Sequence, residues 1–275
     1  MTSVAARGEP AATQARSTLD RIYAAIPVVT VFVCLAGLYI WESWRHVSPW
    51  LFTDELELSQ ISRAIAATGH AARRGDPYGF HSLYAYLISP AWLFHGTAHA
   101  YSIAKYIGVF TMTAAVFPIY LLGRLVVSPR AALFAAAGAA AIPAFAYSSM
   151  LVPEPLAYAW AALCFFLIAK ALVTRSAAWV AAAIVASIVA HWVRGELTLL
   201  LPIFALAALF LAWGSERGKS WRSTWSRWDW VGAAVLGTGA LILFSAIMSR
   251  SHTWLIATAT TGTGCSTTGS GRPAR

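Results

Sequence analysis

The sequence predicts an all-α, polytopic membrane bundle of about seven transmembrane helices with a long amphipathic first outer loop, and three observations predict it. Hydrophobic residues make up 59% of the 275 positions and charged residues only 11%, about half the charged share of a soluble domain. The apolar residues fall in blocks near twenty residues long, the length a helix needs to cross about 30 Å of hydrocarbon. The basic residues behind the formal charge of +9 sit in short connections between these blocks. They form no single stripe, so the charge reads as membrane topology and points to no nucleic-acid partner.

Each element follows in chain order. Residues 1–20 read as a disordered, Ala-rich leader. The first apolar block, Ile22 to Trp41, follows Arg7, Arg16 and Arg21 much as a secretory signal would. It is too long for one, and it runs into Trp41-Glu42-Ser43-Trp44 without a small-residue cleavage site, so an uncleaved first helix is expected. Residues 42–102 then form the outer loop of a module covering 21–250. Within that loop Leu58, Ile61 and Ile65 recur at helical spacing among polar residues, the pattern of a helix lying in the membrane interface. Ser82 to Phe94, with Tyr84, Tyr86 and Trp92, is a second such element, and Asp76-Pro77-Tyr78 between them reads as a turn.

Further spans are expected at Ile103 to Val126, Ala131 to Tyr147, Pro155 to Val173, Ala177 to Val193, Leu197 to Trp213 and Trp230 to Met248. Arg124 with Arg130, Lys170 with Arg175, and the run from Arg217 to Arg227 fall on the same alternate connections as the leader. The bias of Lys and Arg towards the cytoplasm places these inside, with the N-terminus. A multi-pass protein of a bacterial plasma membrane is the resulting expectation. Cys34, Cys164 and Cys265 have neither disulfide nor metal-ligand spacing and read as packing residues. Residues 251–275 form a low-complexity Thr/Gly/Ser tail that cannot build a core.

This topology gathers Asp54, Glu55, Glu57, Asp76, Glu154 and Glu196 on the outer face, where a site is therefore expected. In Phe52-Thr53-Asp54-Glu55 two adjacent carboxylates precede the amphipathic helix. Acids there suit the helix dipole, and Thr53 or Asp54 suits the cap. An interfacial carboxylate also suits proton abstraction from a hydroxyl or the holding of a divalent cation. Glu154, between Pro153 and Pro155, stands at a helix start, which is ordinary first-turn chemistry unless it faces inward to meet a substrate. Arg194 runs against the charge bias of an outer loop; its guanidinium fork suits a phosphate, and His191 shares its helical face. Snorkelling, or a local pair with Glu196, is the structural alternative. His81 and Tyr84 are further candidates to line the same cavity.

On Phe52-Thr53-Asp54-Glu55-Leu56, Ile61-Ser62-Arg63-Ala64-Ile65, the Tyr78 to Tyr84 stretch and Val152-Pro153-Glu154-Pro155-Leu156, the chain resembles the GT-C superfamily of membrane glycosyltransferases. That group includes protein O-mannosyltransferases and the aminoarabinose transferases of lipid A. The resemblance implies transfer of a sugar from a polyprenyl-phosphate donor to a lipid, glycan or protein acceptor on the outer face of the membrane. It implies Asp54 as catalytic base, Glu55 as assisting acid and Glu154 as a substrate contact. Arg194, with His191, would neutralise the departing phosphate, and a divalent cation is compatible with the acids. Members usually have more spans and often a soluble C-terminal domain, so the resemblance also implies that this chain is truncated. Two rival expectations stand beside the enzyme: a transporter whose Glu154 and Arg194 mark a substrate path, and a non-catalytic remnant that binds lipid or a partner.

Overall fold

The computed structural model describes residues 9–45, 53–78, 82–147 and 150–216, with Gly237 and Gly239. Apart from Gly237 and Gly239, the seventh expected span lies outside the described residues, as do the tail and His81. The protein is mostly helical. Among the described residues three helical runs are long and apolar enough to cross a membrane: Tyr23–Arg45, Thr97–Gly123 and Glu154–Thr174. Leu83–Leu93, Pro129–Ile142, Ala177–Val193 and Gly195–Leu211 are shorter apolar helices.

Helix α1 spans Glu9–Arg45. Its first residues, Glu9 to Asp20, are helical within the segment 1–20 expected as a leader, and their Ala, Gln, Arg and Leu content favours that state. Helix α2, Thr53–Thr68, buries Leu58, Ile61 and Ile65 on the face anticipated from their spacing. The segment read as a turn at Asp76-Pro77 is instead a strand: β1, Ala72–Arg73, pairs antiparallel with β2, Asp76–Pro77. This hairpin is the one departure from all-helical structure among the described residues. The turn is two places earlier, at Arg74 and Gly75, whose φ angles of 54° and 91° match the positive values a two-residue hairpin demands. Helix α3, Leu83–Ile88, is capped by the Ser82 hydroxyl, which accepts from the Tyr84 N–H, and a 3₁₀ turn, Ser89–Leu93, follows it.

The span expected at Ile103 to Val126 is built from two pieces, α4, Thr97–Thr113, and α5, Val116–Gly123. Pro118 explains the joint. It has no N–H to offer the Ala114 carbonyl, and the chain tightens there so that Phe117 N–H donates to Ala114 O at 3.1 Å. Helices α6, Pro129–Tyr147, α7, Glu154–Thr174, and α8, Ala177–Val193, match their expected spans closely. The segment of the next expected span opens with a 3₁₀ turn, Gly195–Leu199, before α9, Leu200–Glu216.

The most extensive helix packing is α7 on α8 and α5 on α6; α1 packs on α4, and α7 also packs on α5 and α4. Ile168, Ala171, Val180, Ala183 and Phe204 knit α7, α8 and α9, while Val28, Val116 and Ala140 join α1, α5 and α6. Small residues let these backbones approach, as expected where lipid supplies no hydrophobic drive between helices. Large apolar side chains such as Phe134, Val185, Leu206 and Phe210 remain exposed on the outside, the distribution expected of a bundle solvated by lipid.

Polar side chains inside the bundle repair backbone groups that cannot find water. Pro143 has no N–H for the Ala139 carbonyl, and the Tyr158 hydroxyl donates to that oxygen at 2.6 Å. Tyr39 donates to Ala141 O at 2.8 Å and Trp160 Nε1 to Ala186 O at 2.8 Å. Lys105 is 1% exposed, and its Nζ donates to Ser43 O at 2.9 Å in the last turn of α1. A cation there faces the negative end of the helix dipole.

Two local features carry stability predictions. Arg175 caps α7 in the left-handed region at φ 52°. Glycine adopts that conformation without a Cβ penalty, so Arg175→Gly is expected to stabilise the protein by about 0.5–1 kcal/mol, read as a small rise in Tm in detergent. At Gly108 a Cβ would stand 2.7 Å from the Tyr84 hydroxyl. Gly108→Ala must displace a fully buried ring and is expected to cost about 1–3 kcal/mol; an unchanged Tm would show that this contact is loose.

Candidate functional site

The residues singled out in sequence belong to four separated segments, and the fold brings most of them to one end of the bundle. The N-terminus of α2 supplies Asp54 and the turn before α3 supplies Ser82. The start of α7 supplies Glu154, and the end of α8 with the following 3₁₀ turn supplies Arg194 and Glu196. These side chains line a cleft of about 570 Å³, together with Pro153, Val193 and Gly195.

Asp54 is exposed in the first turn of α2. It makes no hydrogen bond or ion pair with another described residue, which leaves its carboxylate available within the cleft. Glu55, the adjacent acid, has a different environment. It is 0% exposed and lies outside the cleft lining. Its Oε1 accepts from the Tyr101 hydroxyl of α4 and, at 3.0 Å, from the Leu151 N–H ahead of α7. The helical turn explains the split, because neighbouring residues are about 100° apart on a helix and cannot present the same face. Glu55 thus ties α2 to α4 and to the segment before α7, and that tie fixes where Asp54 stands.

Arg194 closes the other side. Its Nη1 donates to Glu154 Oε1 at 2.7 Å and its Nε to Glu196 Oε2 at 3.0 Å. Burial alone would lower the guanidinium pKa, but the two carboxylates outweigh it and hold the group firmly charged. Glu196, fully exposed, is held below the usual carboxylate range first by a backbone hydrogen bond and then by Arg194. Among the described lining residues three acids, Asp54, Glu154 and Glu196, face one cation, Arg194, so the cleft favours neutral, hydroxyl-rich groups over a bare anion. A phosphate must compete with the carboxylates for Arg194, although the fork has five N–H donors and these two bonds use only some of them.

The remaining candidates lie off the cleft. His191 is exposed on α8, and its Nδ1 shares a 2.8 Å hydrogen bond with Thr198 Oγ1. Tyr84 is fully buried behind the lining. Its hydroxyl is held in its neutral form, with the pKa raised by burial first and then by Glu154 and Glu55. Among the described residues no group of three or more His, Cys, Asp or Glu is placed to hold a metal ion.

Sequence reasoning missed Tyr101 and Lys105, which surround Glu55 from α4, and the role of Glu57. Lys105 was visible as an isolated cation within an apolar run, a type of residue that marks polar structure inside membranes. Glu57 accepts from the Tyr78 hydroxyl and lies 3.6 Å from Arg73 Nη1, fastening the hairpin to α2. Comparison of the chain with protein-family models, curated proteins and solved structures returned no match.

Proposed function

We propose that the protein is a membrane glycosyltransferase of GT-C type, moving a sugar from a polyprenyl-phosphate donor to a lipid, glycan or protein acceptor at the outer surface of the plasma membrane. The observation that carries this reading is the cleft in which Asp54, a carboxylate unpaired among the described residues, and Arg194, a cation held by two carboxylates, meet from segments 140 positions apart in sequence. A base and an anion-stabilising donor in one open cleft are the two groups that transfer to a hydroxyl requires.

Asp54 takes the proton of the acceptor hydroxyl as its oxygen bonds to the anomeric carbon. The bond from that carbon to the donor phosphate breaks, and the phosphate leaves with the electron pair. Arg194 offers its remaining N–H donors to the charge that grows on the phosphate oxygens. Glu154 and Glu196 hold the guanidinium in place, and Glu154 is also positioned to meet sugar hydroxyls. Glu55 serves by anchoring the turn that carries Asp54, with no direct part in the chemistry. The reading includes seven spans, with the shorter apolar helices and Trp230 to Met248 crossing alongside the three long ones and the N-terminus in the cytoplasm.

The test is incorporation of labelled sugar from a panel of polyprenyl-phosphate donors into membrane lipid or glycan, comparing the native chain with Asp54→Asn. Incorporation by the native chain alone supports the reading. Absence of incorporation from every donor, with both chains inserted in the membrane, withdraws it in favour of a transporter or a lipid-binding protein.

A further inference from the structure

Two buried polar atoms near the cleft have no hydrogen-bond partner among the described residues: the Tyr84 hydroxyl and Glu154 Oε2. They belong to elements that meet at one point. The Tyr84 hydroxyl points into the crevice between α4 and the start of α7. A Cβ on Gly108 would lie 2.7 Å from that hydroxyl and 4.0 Å from Pro155 Cγ, and Pro155 directly follows Glu154 in α7. Ser82, two residues before Tyr84, lines the cleft with Glu154. Tyr84 is 0% exposed, so its hydroxyl has no route to bulk water.

A buried hydroxyl and a buried carboxylate oxygen each lose solvation on folding, and one charge-assisted hydrogen bond between them relieves both losses. Glu154 has rotatable bonds with which to make it, whereas the Tyr84 ring is packed on all sides. The two atoms are not bonded to each other in the structure; we propose that Tyr84 is a positioning residue whose hydroxyl, once the Glu154 side chain turns towards it, donates to Glu154 Oε2, so that Glu154 is gripped through one oxygen by α3 and grips Arg194, just after α8, through the other. Glu154 is then the hub joining the first loop, α7 and α8, and the orientation of the cation in the cleft is set by a residue that never reaches the cleft. This bond goes beyond the transferase reading and stands or falls independently of it, because its tests require no turnover.

The sign of one substitution is decisive. A hydroxyl buried without a partner destabilises the folded chain, so its removal would raise Tm; a hydroxyl bonded to Glu154 stabilises it, so its removal lowers Tm. In the full chain in detergent, Tyr84→Phe is expected to lower Tm by about 2–4 °C. In a Glu154→Gln background the same substitution is expected to lower it by less than half as much, since the charge assistance is gone. The native-minus-Glu154→Gln infrared difference spectrum isolates the Glu154 carboxylate stretch, and its frequency is expected to shift when Tyr84→Phe is present in both chains. An unchanged or raised Tm overturns the proposal, as does a fall of equal size in both backgrounds or an unmoved carboxylate band. Failure of Tyr84→Phe to accumulate supports it only where Glu154→Gln restores accumulation; failure in both backgrounds overturns it.

Discussion

Glu55→Ala is expected to destabilise the protein by about 3–5 kcal/mol, the range for removing one partner from a buried charged network. At this chain length that corresponds to a fall in Tm of roughly 10 °C. Three losses combine. The Tyr101 hydroxyl and the Leu151 N–H both donate to Glu55 Oε1, and the substitution leaves both buried and unpaired. It also removes a buried side chain from the core at the α2 end, where Leu58, Ile61, Tyr84, Ile88 and Leu151 pack. Lys105, buried on α4 and within electrostatic reach of Glu55, loses a nearby negative charge. Glu55→Gln separates these contributions, because its amide oxygen can accept both of these hydrogen bonds while the charge is lost. That variant is expected to lose about 1 kcal/mol. Thermal unfolding of the two variants side by side is the measurement. Equal stability of Glu55→Ala and the native chain would remove the anchor from the account of the fold and, with it, the explanation of how Asp54 is placed.

Asp54→Asn carries the largest expected effect on activity, a fall in the initial rate of sugar transfer of about 10²–10⁴-fold, the usual contribution of a positioned general base. The amide is close in shape to the carboxylate and cannot take the acceptor proton. Asp54 is exposed and bonded to no other described residue, and asparagine suits the start of a helix, so Tm is expected to stay within about 1 °C of native. The pairing of a lost rate with an unchanged Tm distinguishes this position from Glu55, where stability falls first. Initial rates at saturating donor, with Tm measured on the same preparations, check both halves. Retention of rate within tenfold of native assigns the base to another group. The adjacent acids of one motif thus give opposite signatures, one chemical and one structural.

Much of the architecture was legible because it rests on patterns local in sequence. Apolar runs of helical length marked the long helices, and the spacing of Leu58, Ile61 and Ile65 identified the buried face of α2. Pro155 after Glu154 placed the start of α7 to within one residue, the helix opening at Glu154. Pro118 was equally visible, but whether a proline bends or breaks a helix depends on which neighbour supplies the missing hydrogen bond. The Ala72–Pro77 hairpin escaped notice because two-residue strands are too short to show alternation, and Arg74 is an unusual choice for a positive φ.

By itself the sequence determined that the chain is helical, with runs long and apolar enough to cross a membrane, and that most of its acids and Arg194 fall in connections expected on a common side. Both follow from hydropathy and charge, which act through solvent and need no knowledge of neighbours. The tertiary structure alone decided how two adjacent carboxylates divide their work. Asp54 is open to the cleft, while Glu55 is buried against Tyr101 and the Leu151 N–H, contacts 46 and 96 positions away in the chain. It also decided that Arg194 pairs with Glu154 of another helix as well as with its near neighbour Glu196. Burial and pairing are properties of three-dimensional packing, and a carboxylate becomes an accessible base or an anchor according to which face of a helix meets a neighbouring one.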